Sequence, residues 1–227
     1  MHFVILGILV VVIVFAPQWW ARYVFKKYSK ANDNFPGTGG ELARHLLDKQ
    51  GLDSVAVEIT TLGDHYDPND KVVRLLENNF NGKSLTAISI AAHEVGHAIQ
   101  DKNDSPLLRS RTKLVRFANI TEKIGSAAMI AMPFVTAISR SPSVGLLLFL
   151  SAILSLFVST IVHLVTLPVE WNASFQKALP LLINGQYITK SEEKAVRQIL
   201  KAAALTYVAA SLASLLNLAR WIAILRR

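Results

Sequence analysis

Apolar residues gather in four long stretches of this chain, and the polar residues collect between them. Residues 3–20 carry no charge, a length that can cross a bilayer core, which takes roughly 17–25 residues. Trp19, Trp20 and Tyr23 close this run, and Arg22, Lys26, Lys27 and Lys30 accompany or follow them. That is the order of an aromatic belt and a cationic inner flank. The run lacks the basic start and small-residue cleavage site of a signal peptide, so it predicts a permanent anchor at residues 1–20. Residues 124–139 are uncharged and interrupted by Pro133, and in residues 141–169 the one titratable side chain is His163. These two blocks predict a transmembrane hairpin over residues 119–168, turning at Ser139-Arg140-Ser141-Pro142-Ser143. A further uncharged run begins at 202 and reaches Arg220, predicting a fourth membrane helix over 202–225.

The polar regions have periods of their own. Residues 40–50 read as a helix with Leu42, Leu46 and Leu47 on one face and Gly51 as its stop. Val55, Val57 and Ile59 alternate as in a strand, Asp67-Pro68-Asn69-Asp70 signals a turn, and residues 71–76 can return, which predicts a β-hairpin. Ser84 is a helix N-cap candidate. The run after it, 85–100, is rich in Ala, Ile and Val. It is short for a span, and Glu94 between two histidines would be costly in lipid, so it predicts a buried core helix over 84–101. Residues 106–116 are basic and helical. The expected architecture is mainly α and membrane-bound: four transmembrane helices plus a small cytoplasmic α+β domain with a β-hairpin, which the motif and resemblance described below make zincin-like. Residues 21–118 supply most of that domain, and a cytoplasmic helix over 169–201 supplies the rest.

Composition agrees with this division. Of the residues 52% are hydrophobic and 18% charged, and there is no cysteine, with a formal net charge of +8. Without thiols, neither a disulfide framework nor a thiolate metal site can form. The basic residues flank apolar segments and form no dense run, which predicts a positive-inside membrane protein and not a nucleic-acid binder. Alternation of the spans puts both polar regions in the cytoplasm. The expected location is therefore a membrane, crossed several times, with the lipid bilayer as one partner; the resemblance given below implies the bacterial inner membrane. The sequence has no signature of oligomeric state.

The chemistry concentrates in His93-Glu94-Val95-Gly96-His97. Positions i and i+4 share one helix face, so His93 and His97 can bind one Zn²⁺ together. Glu94 is placed to take a proton from a water that zinc has acidified. Gly96 costs helix stability, which predicts crowding near the metal. A catalytic zinc needs a third protein ligand, and Ala98-Ile99-Gln100-Asp101 offers no histidine. Glu170, the lone acidic residue after a long apolar run, is the leading candidate. Asp101 and His163 are weaker ones. Pro168 is expected to start a new helix carrying Glu170. His65 and Tyr66, beside the expected hairpin turn, are candidates for contacting substrate or stabilising an oxyanion. His2 and His45 belong to no constellation.

Four segments carry a family resemblance. They are Thr38-Gly39-Gly40-Glu41-Leu42-Ala43, Leu62-Gly63-Asp64-His65-Tyr66-Asp67-Pro68, the region around Ala91-Ala92-His93-Glu94-Val95-Gly96-His97-Ala98-Ile99-Gln100, and Pro168-Val169-Glu170-Trp171-Asn172-Ala173-Ser174. In this order they resemble the YugP-type putative neutral zinc metallopeptidases of bacterial membranes, and more distantly the HtpX-type and CAAX-prenyl proteases. The resemblance implies a membrane-bound zinc peptidase holding one zinc per chain on His93, His97 and Glu170. Ser174 stands where the distant relatives carry an Asp that orients a metal-binding histidine. Asn172 stands where the YugP-type pattern usually has Asp. The resemblance thus implies a supporting role for both. The expected activity is endopeptidase hydrolysis of a peptide or protein substrate, with Glu94 as general base. The rival from another class is a non-catalytic metal-binding membrane scaffold or assembly factor, which would have no use for Glu94.

Overall fold

The computed structural model describes residues 2–32 and 35–206. It divides into two compact units. Of the described residues, one comprises 2–17 and 110–167, and the other 18–109 and 168–206. In chain order the elements are α1 (His2–Lys27), α2 (Gly39–Lys49), β1 (Ala56–Thr60), β2 (His65–Asp67), β3 (Val72–Leu76), α3 (Glu77–Phe80), α4 (Leu85–Lys102), α5 (Pro106–Ser139) and α6 (Pro142–Trp171). A π-helical turn, Asn172–Ala178, then leads into α7 (Leu179–Asn184). A last helix, α8, runs from 193 to the end of the described residues at 206.

The second unit is organised around α4. Ser84 caps this helix by accepting from the Ala87 N–H, which satisfies one of the donors a helix start leaves open. Every residue from Thr86 to Gln100 is buried, the pattern of a helix surrounded by protein. The core around it takes Leu46 and Leu47 from α2, Val73 and Leu75 from β3, and Leu179 and Leu182 from α7. Val196, Ile199 and Leu200 of α8 complete it. Each such side chain contributes about 1.5–3 kcal/mol when fully removed from water. Thr38 and Glu41 form a reciprocal capping box at the start of α2. Gly39 has no side chain because a Cβ there would lie 2.2 Å from the Asn79 carbonyl oxygen. Gly51, at φ 61°, ends the helix as expected.

The sheet differs from the expected hairpin. Its order is β1-β3-β2. β1 and β3 pair in parallel, Ala56 opposite Val72, while the three-residue β2 pairs antiparallel with β3, Tyr66 opposite Val73. The turn at Asp67-Pro68-Asn69-Asp70 therefore joins β2 to β3, and β1 reaches β3 from the other side. Arg74 pins this turn through Asp67 at 3.1 Å and Asp70 at 2.7 Å.

The expectation of four transmembrane helices is corrected as well. Among the described residues no helix is long and apolar enough to cross a membrane. In α5 the apolar block 124–139 is bounded by Lys123 and Arg140 and contains Pro133, which leaves it below the roughly 17–25 residues of a span. Most side chains of the expected 1–20 anchor, and residues 207–225 of the expected last span, lie outside the described residues. The side chains of His2 and His163 lie outside them too. What survives is a mainly helical chain. The turn between α5 and α6 falls where expected, with Arg140 at φ 50°. Pro168 does not begin a helix: it lies inside α6, which runs on to Trp171.

Candidate metal centre

His93 and His97 project from adjacent turns of α4, and Glu170 comes from the last turn of α6. All three are buried, and their ligand atoms lie within 4.8 Å of one another. The Glu170 Oε2 is 3.3 Å from His93 Nε2 and 3.1 Å from His97 Nε2. The rings of the two histidines are 4.8 Å apart and nearly perpendicular, at 79°.

Hydrogen bonding decides which nitrogen of each ring carries the proton. Ser174 Oγ donates its single proton to the Leu200 carbonyl at 3.1 Å. It must therefore accept from His93 Nδ1, 3.0 Å away. Gln100 Nε2 donates to the Val169 carbonyl at 2.9 Å and to Asn172 Oδ1 at 2.8 Å. Its Oε1 is then the acceptor for His97 Nδ1, at 2.9 Å. Both imidazoles keep Nδ1–H, and both turn an Nε2 lone pair toward Glu170.

Three lone-pair atoms facing one another in a buried site repel unless a cation lies among them. A proton can join one pair; a divalent ion can join all three. Four ligands arranged tetrahedrally at ~2.0–2.1 Å from zinc are about 3.3 Å apart, close to the two separations seen. The donor set, two imidazoles and a carboxylate, also suits zinc. The residues present therefore fit the ion.

Gly96 explains how the two halves approach. A Cβ on it would lie 2.7 Å from the Ala173 carbonyl oxygen, so α4 touches the backbone of the π-turn there. The crowding inferred for this glycine is real, but its source is main chain and not the metal. Glu94, on the same helix, is 5% exposed.

The remaining candidates are placed elsewhere in the hydrogen-bond network. Tyr66 donates its hydroxyl proton to Asp101 at 2.7 Å. Burial, with that bond and the Asp101 charge, raises its pKa, so the phenol stays neutral. Asp101, the weaker ligand candidate, is held by Tyr66 and by Lys71 and lies outside the three-residue cluster. His65 Nδ1 donates to the Gly63 carbonyl at 2.8 Å. His45 hydrogen-bonds Tyr187 at 2.8 Å, beside a cavity of about 570 Å³ lined by Phe35, Leu42, Ile88 and Ile188. Ser174 touches His93 itself, and Asn172 touches Gln100, the partner of His97. Gln100 went unassigned by sequence reasoning, although its place three residues after His97 puts it on the same helix face.

Residues 3–226 match a family model described as a putative neutral zinc metallopeptidase. The chain belongs to that family. It is also 38% identical over 226 residues, 99% of this chain and 96% of the other, to a protein of Bacillus subtilis (strain 168) named "Putative membrane protease YugP". No solved structure matches. Membership supports a zinc protease in general terms, and the His93, His97 and Glu170 cluster is where this family member could hold its metal.

Proposed function

We propose that this family member is a zinc-dependent endopeptidase, with one ion held by His93, His97 and Glu170 and with Glu94 as general base. The observation that carries the reading is the convergence of His93 Nε2, His97 Nε2 and Glu170 Oε2 while both Nδ1 atoms are bonded elsewhere. When bound, zinc acidifies water and polarises a peptide carbonyl. Glu94, one residue along α4 from His93, takes the proton from water and returns it to the departing amine nitrogen. Ser174 and Gln100 hold the two imidazoles in the tautomer that presents Nε2. β1 and β2 are the two edges of the sheet, and either has backbone groups that an extended peptide substrate could pair with.

Membrane association belongs to the same proposal and rests on the other unit. There α5 and α6 expose Phe117, Ile124, Ile130, Phe134, Leu147 and Leu154, more apolar surface than a protein in water usually leaves open. Lys113, Arg116 and Lys123 share α5 with the first of these, and they suit the anionic inner leaflet. The active site is then placed on the cytoplasmic side. The substrate is a peptide or protein, with no role for nucleic acid.

The deciding experiment is a pair of variants with metal and proteolysis measured on each. Glu94→Gln is expected to keep zinc and lose cleavage by at least ~100-fold, the size of general-base effects. Glu170→Ala is expected to lose zinc. Full cleavage by purified Glu94→Gln ends the catalytic reading, and unchanged zinc content in Glu170→Ala removes Glu170 from the site.

A further inference from the structure

The groups around Gln100 are arranged as a junction. Its side chain is 1% exposed, and both ends of the amide are used. The carbonyl end accepts from His97 Nδ1. The amino end donates to Val169 O and Asn172 Oδ1, one residue before and two residues after Glu170. A buried amide can use its two N–H groups and its oxygen in only one orientation here, because the Val169 carbonyl can only accept. That fixed carbonyl fixes the amide, the amide fixes the oxygen toward His97, and the oxygen fixes the proton on His97 Nδ1.

We propose that Gln100 is a positioning residue for the metal centre: one side chain sets the tautomer of His97 and clamps the Glu170-bearing segment to α4. The inference rests on the zinc reading above, since it assigns what Gln100 does to two of the three ligands. Groups that orient ligands commonly change metal affinity by roughly 10–100-fold when removed, and Gln100 acts on two ligands at once. Asn172 is tied into the same unit, for its own amide nitrogen bonds Gln176 and so leaves Oδ1 for Gln100.

The test uses the full chain and two readouts. The first is zinc affinity, by competition with a chromophoric chelator. The second is the ring-nitrogen spectrum of His97 in the metal-free protein at mildly alkaline pH, which reports the tautomer without any activity. Gln100→Met keeps the volume and removes all three bonds. It is expected to bind zinc roughly 10–100-fold more weakly and to show His97 in mixed tautomers. Gln100→Glu keeps the acceptor for His97 but drops both donors, so it should keep the Nδ1–H tautomer while still losing zinc affinity. A purely structural role would shift the tautomer equally in both variants and overturns the proposal. So does Gln100→Met with affinity within twofold of wild type. If Gln100→Met does not fold, the wild-type spectrum decides: a His97 Nδ1 without its proton refutes the inference. His97→Ala runs in parallel. If it binds zinc normally, the metal reading itself fails. If it loses zinc while Gln100→Met retains it, only the role of Gln100 fails.

Discussion

Gly96→Ala is a one-methyl change that separates helix propensity from site geometry. Alanine is the better helix former by about 1 kcal/mol, so on an isolated α4 it would stabilise. In the folded protein the new Cβ would sit 2.7 Å from Ala173 O, 3.3 Å from its carbonyl carbon and 3.4 Å from its Cα. All three atoms are backbone, and no flexible side chain can yield. Ordinary contact begins at 3.4 Å, so the π-turn must retreat from α4 by ~0.7 Å, the difference between 3.4 and 2.7 Å. Overpacking of this kind costs about 1–3 kcal/mol, which leaves a net loss of roughly 0–2 kcal/mol once propensity is counted. The effect on metal is expected to be larger, because ligand distances tolerate only about ±0.2 Å. Ala173 lies between Asn172 and Ser174, and Glu170 is on the same segment. Zinc binding should weaken by at least ~10-fold, while the melting temperature of the metal-free protein falls by no more than several degrees. Chelator competition and calorimetry on the purified chain measure both. Zinc affinity within twofold of wild type, together with a raised melting temperature, would refute the claim that Gly96 is there for close approach.

Three other outcomes are expected. Tyr66→Phe removes the bond to Asp101 and should cost about 1–3 kcal/mol of stability while leaving kcat within a few-fold; a loss of kcat beyond ~100-fold would instead assign Tyr66 to the oxyanion. Burial raises the pKa of the Asp64 carboxyl, against the Leu76 N–H and Asn79 amide bonds that lower it. Its folded-state value exceeds the unfolded one, so its contribution is full below 3.8 and is lost as pH rises through the folded value. Asp64→Asn should therefore flatten the stability profile just above that pH, and an identical slope in wild type and variant counts against the assignment. The full chain should float with vesicles containing anionic lipid, less so after Lys113, Arg116 and Lys123 are changed to Ser; failure of the wild type to float removes the membrane from the proposal.

What could be read in the sequence was local. The cap at Ser84, the stop at Gly51, the buried run of α4 and the i, i+4 pair on it depend on neighbours a few residues apart, and all are present. Glu170 could be picked because an acidic residue after a long apolar run needs a cause. The strand order could not be picked. β2 is three residues long, too short for alternation to register, and parallel pairing of β1 with β3 depends on a connection that leaves no local mark. In α5 uncharged length is not enough for a span, because flanking charges and Pro133 shorten its apolar block.

The π-turn was invisible for a related reason, and the site depends on it. In an α-helix consecutive side chains point about 100° apart, so three in a row cannot all meet one neighbouring helix. Here they do. Asn172 meets Gln100, the backbone of Ala173 meets Gly96, and Ser174 meets His93. Three successive residues thus meet three points spread along two turns of α4, running antiparallel to it, just after Glu170 has met His93 and His97. A wider helical turn spreads these contacts where a regular helix would rotate one of them away, and π-turns recur at functional sites for this kind of reason. The apolar pattern expected a fresh helix at Pro168 because a proline often opens one. Instead α6 continues past Pro168 to Trp171 and then widens. The third ligand, the serine that orients His93 and the asparagine that holds Gln100 are consequently one continuous piece of chain, and Gly96 is the position on α4 that lets that piece come close enough.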